Sequence, residues 1–234
     1  MTSTQTITHA LGQFPENNLI FASQLYAERL RNEVTESAYY KTLERLCKNG
    51  SLRKIAKGTY YRPKVSKYGI VPPSQKEIVS VFTEPNIGTV VGYSLYNRLR
   101  LTPQVGKTIE AYSSRLTQQT KIVSNVRLNY CNLVYTPEVK AVIHMMDVLQ
   151  NFSEIQDLDY AKFLEFSQEF AQQYSDEAFE QVNHSLRYQK RTISFLREVL
   201  NYHGIPHNLS RHLSSLSEYK HPRMEEIHEA AHLS

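Results

Sequence analysis

The residues whose type and spacing could do chemistry are cations. Between Lys41 and Lys67 stand nine Lys or Arg (Lys41, Arg45, Lys48, Arg53, Lys54, Lys57, Arg62, Lys64, Lys67) against one acid, Glu44, a local net of +8. The chain of 234 residues carries only +4, so everything outside this window sums to −4. Cations gathered in this way raise a local positive potential, the electrostatic footprint of a polyanion-binding face. The plain alternative is a solvated surface hairpin that happens to carry lysines. Histidines are the other candidates. Six of the nine lie between His203 and His232, and His203/His207 and His228/His232 stand at i, i+4 spacing. Such pairs can hold zinc, with Glu225, Glu226 or Glu229 as a further ligand. Gly204 and Pro206 interrupt the helix of the first pair, so no metal site is expected. No glycine-rich phosphate loop, nucleophile elbow or His-Glu-x-x-His motif is present. The chain does not read as an enzyme, and neither a catalytic residue nor a cofactor is expected.

The cations must be positioned by something, and the pattern around them supplies it. Tyr39, Leu43 and Leu46 recur at spacings of four and three, one face of a helix. Thr35 or Ser37 can cap its start, and Asn49-Gly50 ends it, because glycine accepts the left-handed conformation of a helix terminus. Leu52 to Ile55 and Thr59 to Arg62, joined by Lys57-Gly58, read as a β-hairpin that Pro63 stops. Upstream, Ile7, Leu11 and Phe14 mark a first helix, Leu19-Ile20-Phe21 a brief strand able to pair with the hairpin, and Ala22 to Leu30 a second helix with Ser23 as cap. Asn32 to Val34 is the turn between the second and third helices. Helix, strand, helix, turn, helix, hairpin is the order of a winged helix-turn-helix. Exposed positions early on the third helix (Glu36, Ser37, Tyr40 and Lys41) are candidates for reading base edges. Arg53, Lys54 and Lys57 on the wing are cast as phosphate or minor-groove contacts. Tyr39 is expected in the core, as is one of Tyr60 and Tyr61.

Composition sets the outer limits. Hydrophobic content of 41% and charged content of 21% are those of an ordinary globular protein with a proper core. No apolar run approaches the ~20 residues of a membrane span, and the N-terminus shows no secretory signal. Cys47 and Cys131 are too few for a disulfide framework. The chain reads as cytoplasmic, with no membrane partner.

Pro63 to Pro73 reads as a connector, giving a DNA-binding domain over 1–65, a linker over 66–73 and a second domain over 74–234. Ser74 and Glu77 form a capping box for a helix carrying Ile78, Val81 and Phe82. A strand at Gly88 to Val91 precedes a short helix, Tyr93 to Leu99. Lys107 to Ser113, Lys121 to Ser124 and Val126 to Tyr130 alternate as strands of a small antiparallel sheet. Beyond Pro137 the pattern is helical. Phe163, Phe166, Phe170 and Tyr174 make an aromatic stripe expected in the core, and one long helix is expected within Asp176 to His203. The tail from Glu218 onward is acidic and rich in His, and is expected to fray. From Ser74 onward there are 16 Lys or Arg against 18 Asp or Glu, so this part should not hold DNA by charge. The fold class is therefore α+β and mostly helical: an N-terminal winged helix-turn-helix, then an α+β domain with a small antiparallel sheet and a helical C-terminus.

Three runs, KNGSLRKIAKGTYYRPK, GIVPPSQKEI and VVGYSLYNRLRLTPQVGKTIEAYSS, resemble the transcriptional-regulator antitoxins of the bacterial abortive-infection AbiE type, which belong to type IV toxin–antitoxin systems. The likeness covers roughly Ile7 to Asn129, and the Gly92 to Val105 run is its more specific part. Arg100 departs from it, since relatives tend to carry glycine there. The resemblance implies a winged helix that represses the promoter of its own operon by binding double-stranded DNA. It also implies a C-terminal domain that counteracts a neighbouring nucleotidyltransferase-type toxin. Ser37, Tyr40, Lys41, Arg53, Lys54 and Lys57 are then the DNA contacts. A winged-helix regulator whose second domain senses a ligand or partner, with no toxin, is the other class, and an enzyme with a winged-helix accessory is a third.

Overall fold

Thr2 opens the first element. Its hydroxyl accepts from the Gln5 amide at 3.3 Å while the Gln5 side chain accepts from the Thr2 amide at 2.9 Å, a reciprocal capping box. Helix α1, Ser3–Gly12, follows and buries Ile7 and Leu11. The computed structural model describes residues 2–233. The chain divides into two compact units, Met1–Val81 with Ile122–Val126, and Phe82–Lys121 with Arg127–Ser234.

In the first unit, strand β1 (Leu19–Phe21) runs without a break into α2 (Ala22–Leu25). Ser23 is not its cap. Phe21 holds that position without a side-chain bond, and the Ala22 amide is already taken by the Gly58 carbonyl at 3.0 Å. The helix widens into a π segment, Tyr26–Leu30, in which the Arg31 amide reaches the Tyr26 carbonyl at 2.9 Å. Helix α3 (Glu36–Lys48) is capped by Thr35 and ends at Asn49, with Gly50 at φ +80°. Strands β2 (Arg53–Ala56) and β3 (Thr59–Tyr61) make the hairpin, and β1 adds to it antiparallel in the order β1-β3-β2. The core gathers α1, α2 and α3 over the sheet through Ile7, Leu11, Ile20, Leu25, Tyr39 and Leu43.

Residues 66–73, read from sequence as a linker, belong to this unit and lie largely in a second hairpin. Its strands are β4 (Lys64–Ser66) and β5 (Gly69–Val71). The flanking prolines signalled a chain break. Gly69, at φ +112°, and the Ser66 hydroxyl donating to the Gly69 carbonyl at 3.0 Å close a turn there instead. Helix α4, Gln75–Thr83, begins with the capping box of Ser74 and Glu77, whose bonds measure 2.6 and 3.2 Å. The first unit extends through Val81.

The second unit is α+β with a helical C-terminus. Strands β6 (Gly88–Val91), β7 (Ile109–Ser113), β8 (Thr120–Val123) and β9 (Val126–Tyr130) form one sheet in the order β6-β7-β9-β8, with β6 and β7 antiparallel; Ile122–Val126, around the β8–β9 turn, is grouped with the first unit. Gly88 is obligatory there, because a Cβ would sit 2.3 Å from the Phe82 carbonyl and 2.4 Å from that of Tyr112. Helix α5 (Tyr93–Arg98) follows β6. It ends with Arg100 at φ +60° and the Leu101 amide bonded back to the Tyr96 carbonyl. Arg100 thus occupies the left-handed position that glycine takes at no steric cost.

Helices α6 (Pro137–Asn151) and α7 (Tyr160–Gln173) carry the main core, in which Phe152, Phe163 and Phe195 meet edge to face at 4.9 and 5.1 Å from Phe152. The aromatic stripe packs in this core. The single helix expected over 176–203 is two, α8 (Asp176–Leu186) and α9 (Lys190–Tyr202). Arg187 breaks it in the left-handed conformation, and the Asn183 side chain accepts from the Tyr188 amide at 3.2 Å. The expected frayed tail is instead α10 (Met224–Leu233), whose Met224 and Ile227 are buried in the same core.

Candidate nucleic-acid interface

Helix α3 is built with two unlike faces. Tyr39, Thr42 and Leu43 are buried, and the Tyr39 hydroxyl donates to the Ala22 carbonyl at 3.0 Å. Burial pushes that phenol far above its usual range. Thr42, which the hydrophobic pattern does not single out, is buried because its hydroxyl bonds the Ala38 carbonyl one turn back at 2.8 Å. Outside are Glu36, Ser37, Tyr40 and Lys41 early on the helix, and Glu44, Arg45 and Lys48 further along, all exposed. Glu36 in the first turn suits the positive end of the helix dipole. It also repels phosphate, so a phosphate is better met further along the helix.

The hairpin continues this surface. Arg53, Lys54 and Lys57 are exposed, with Arg53 opposite Tyr61 and Lys54 opposite Tyr60 in register. Tyr61 is buried, and Tyr60, half-buried, is the one that packs against the core cluster. The Tyr60 phenol is pushed up by burial first, then by Cys47, Tyr40 and Glu44. The Cys47 thiol is pushed up by burial against the pull of Lys54 and Arg53. Helix and hairpin therefore share one electrostatic neighbourhood at Tyr60, with Tyr40 on one side of it and Lys54 across the ladder. Lys57 sits at the turn beside Gly58, at φ +67°, the residue whose carbonyl is tied to Ala22. Tyr40 leans on Tyr39 at 5.1 Å, edge to face, so its ring is steadied while 37% of the residue stays exposed.

Not all nine cations are free for a ligand. Arg45 donates to the Thr4 hydroxyl at 2.9 Å, and Arg62 donates to the Gly12 and Phe14 carbonyls at 3.1 and 2.6 Å. These two fasten α1 to the rest of the unit. The other seven make no ion pair among the described residues. Lys64 and Lys67 extend the basic surface onto β4–β5, where Lys67 lies 4.9 Å from the centre of the exposed Tyr68 ring. From Arg45 to Lys76 the sequence contains no Asp or Glu.

The remaining sequence candidates have structural partners. His203 shares a hydrogen bond with the Ser167 hydroxyl at 2.8 Å, His207 with the Asn201 side chain at 3.0 Å, and His228 and His232 face each other at 3.4 Å. No group of three or more His, Cys, Asp or Glu among the described residues could hold a metal ion. Cys47 and Cys131 are free thiols, both pushed up by burial. The Gly92 to Val105 run is fastened to α6. The Asp147 carboxylate, whose proton affinity burial raises, accepts from the Gly92 amide at 2.8 Å, and the Tyr96 hydroxyl donates to the Asp147 carbonyl at 3.3 Å. No described helix is long and apolar enough to cross a membrane.

No protein-family model matches this chain, and no curated protein matches it. Among solved structures, it is similar to the crystal structure of the Rv2827c protein from Mycobacterium tuberculosis, with 11% identity and a TM-score of 0.46, over 88% of this chain and 78% of that one. That likeness is too loose to carry an assignment.

Proposed function

We propose that the chain is a DNA-binding transcriptional regulator that acts through its first unit as a winged helix-turn-helix. The observation that carries this reading is the placement of its unpaired cations. Seven stand on α3 and the two hairpins, with no acid in the intervening stretch after Glu44. The element order and the β1-β3-β2 sheet support it, since a helix of this kind enters a major groove while its hairpin grips phosphates. Ser37, Tyr40 and Lys41 read bases; Arg53, Lys54 and Lys57 hold the backbone. On the AbiE-type resemblance, the regulated promoter is its own, and the second unit counteracts a neighbouring nucleotidyltransferase-type toxin. The competing reading, a second unit that senses a ligand, draws on the pocket described in the next subsection.

The test measures binding to the chain's own upstream DNA and to random duplex of equal length over a range of salt. Removing Arg53, Lys54 and Lys57 together should flatten the log-affinity versus log-salt slope by about 2.7 on both DNAs, at about 0.9 for each phosphate contact. Lys41→Ala should cost its own promoter about 1–3 kcal/mol more than random DNA if the contact is bidentate. An unchanged slope in the triple variant refutes the wing assignment. Growth rescue on co-expression with an adjacent nucleotidyltransferase-like gene tests the antitoxin role separately.

A further inference from the structure

The N-terminus of α9 departs from the way helix starts are usually finished. Six of the helices here are capped by a Thr, Asp or Ser side chain that accepts an early amide: α1, α3, α4, α6, α7 and α8. Helix α9 has Gln189 at that position with no side-chain bond, and no acid in its first turn. Its first turn carries Lys190 and Arg191 instead, at the end of the dipole that repels cations. The Ile193 amide is satisfied by the Gln189 carbonyl at 3.1 Å. The amides of Lys190, Arg191 and Thr192 come too early for an intrahelical partner.

A cavity of about 310 Å³ opens there, lined by Arg191, Thr192, Phe195, Lys220, His221 and the α6 end around Phe152. No carboxylate lines it. Thr192 is only 2% exposed, and its hydroxyl has no hydrogen-bond partner. A buried hydroxyl left unpaired is uncommon and points to a ligand or ion as its missing partner. Arg191 and Lys220 are exposed and form no ion pair among the described residues. His221 is held in place by three contacts. Its ring stacks on Phe195 at 5.1 Å and 9°, one ring nitrogen donates to the Pro222 carbonyl at 3.0 Å, and the other meets the Ser194 hydroxyl at 3.1 Å. Because Ser194 can donate or accept, the ring keeps both bonds whether neutral or protonated.

We propose that this cavity is a binding site for a small phosphate-bearing ligand. The phosphate sits on the free amides at the start of α9, takes the Thr192 hydroxyl as a donor, and is neutralised by Arg191 and Lys220. The apolar wall of Phe152, Phe195 and Leu149 receives the rest of the molecule, as in most small-ligand pockets. The volume suits a compact phosphomonoester and excludes a nucleic-acid duplex. The site lies wholly within the second unit and stands independently of the DNA-binding reading, so either can fail without the other.

Amide NMR on the full chain separates this pocket from the basic hairpins, because each residue reports for itself. Inorganic phosphate should shift the Lys190, Arg191 and Thr192 amides saturably, with a midpoint in the millimolar range. Adenosine monophosphate should bind the same residues at least about tenfold more tightly, and adenosine alone should not. Thr192→Val removes the unpaired hydroxyl at nearly constant shape. It should weaken phosphate binding several-fold while leaving thermal stability unchanged or higher. The double variant R191E/K220E should abolish binding with the fold intact by far-UV circular dichroism. No saturable shift at these amides, or equal shifts in the double variant, overturns the proposal. Shifts produced by a short DNA duplex but not by phosphate or the nucleotide would assign the site to nucleic acid and overturn it as well.

Discussion

The two units treat charge in opposite ways. The first carries 12 Lys or Arg against 6 Asp or Glu, a net of +6, while the second carries 15 against 17, a net of −2. The ion pairs Lys162–Glu165 and Arg211–Glu180 are in the second unit, where His212 also hydrogen-bonds Glu180. Exposed ion pairs contribute little to stability, so their absence from the first unit is not a matter of weaker folding. It is a matter of surface potential. Like charges crowded together repel and disfavour the compact state, and the first unit keeps seven of them unpaired, which is what the proposed polyanion contact draws on. In the second unit several ionisable groups are buried instead. His144, Asp147 and Tyr188 are examples, each shifted chiefly by loss of water.

The contrast breaks most sharply in the cores. Ten buried residues make up the first core cluster, and the second centres on Phe152, Phe163 and Phe195. Phe163→Ala removes a fully buried ring that stands edge to face with Phe152, which should cost about 3–5 kcal/mol. Hydrogen exchange on the variant should show protection lost in α6, α7 and α9 and kept in α3. Equal loss in α3 would mean that the two units unfold as one.

Acid should find the second unit and spare the first. His144 lies 2.6 Å from the Thr89 hydroxyl, and burial, with Arg98 and Lys140 nearby, pushes its pKa down to about 3. The unfolded value is about 6.5. A depressed histidine folds neutral, so its contribution is complete above the unfolded pKa and is lost as pH falls from there toward about 3. At pH 5 the loss should be about 2 kcal/mol. Asp147, raised by burial, contributes in the opposite sense, losing stability as pH rises above its ordinary range. The difference between the parent and His144→Asn isolates the histidine. Denaturant unfolding of the two should diverge between pH 7.5 and 5, and parallel pH dependences would remove His144 as the cause.

What was legible in the sequence depended on whether the decisive contact was local. Thr35, Asn49-Gly50 and the Ser74–Glu77 box mark helix ends through bonds within a few residues, and the structure has them at those places. The strand at Leu19 was legible from its short apolar run, as was its pairing with the hairpin. Ser23 failed as a cap because the helix starts one residue earlier, at Ala22, so the Tyr26 amide that a Ser23 cap could accept already bonds the Ala22 carbonyl. The break at Arg187 carries no glycine or proline and depends on Asn183 reaching the Tyr188 amide. The hairpin at 64–71 was hidden by its prolines. For the candidate interface, composition found the cationic stretch and periodicity found the exposed face of α3. Only coordinates separate the cations bound within the fold, Arg45 and Arg62, from those facing outward. The α9 pocket draws Arg191 and Lys220 from distant parts of the chain around an unpaired hydroxyl, and no local pattern announces it.

That separation among the cations gives the finest test of the comparison, inside the first unit itself. Arg62 and Lys57 are both basic residues of the same hairpin. Arg62 donates to the two carbonyls at the end of α1, where a cation also meets the negative end of the helix dipole. Lys57 stands exposed at the turn with no ion pair among the described residues. Arg62→Ala should therefore lower stability by about 1–2 kcal/mol, the value of a charged hydrogen bond discounted for partial exposure. Its salt slope on DNA should be unchanged. Lys57→Ala should do the reverse, leaving stability within about 0.5 kcal/mol and reducing the slope by about 0.9. Arg62→Lys keeps the charge but not the planar fork. It should retain the slope and still lose stability, because one ammonium cannot serve both carbonyls in the same geometry. If Arg62→Ala, folded and at low temperature, flattens the slope as Lys57→Ala does, then Arg62 faces the polyanion as well and the division drawn here between inward and outward cations is wrong.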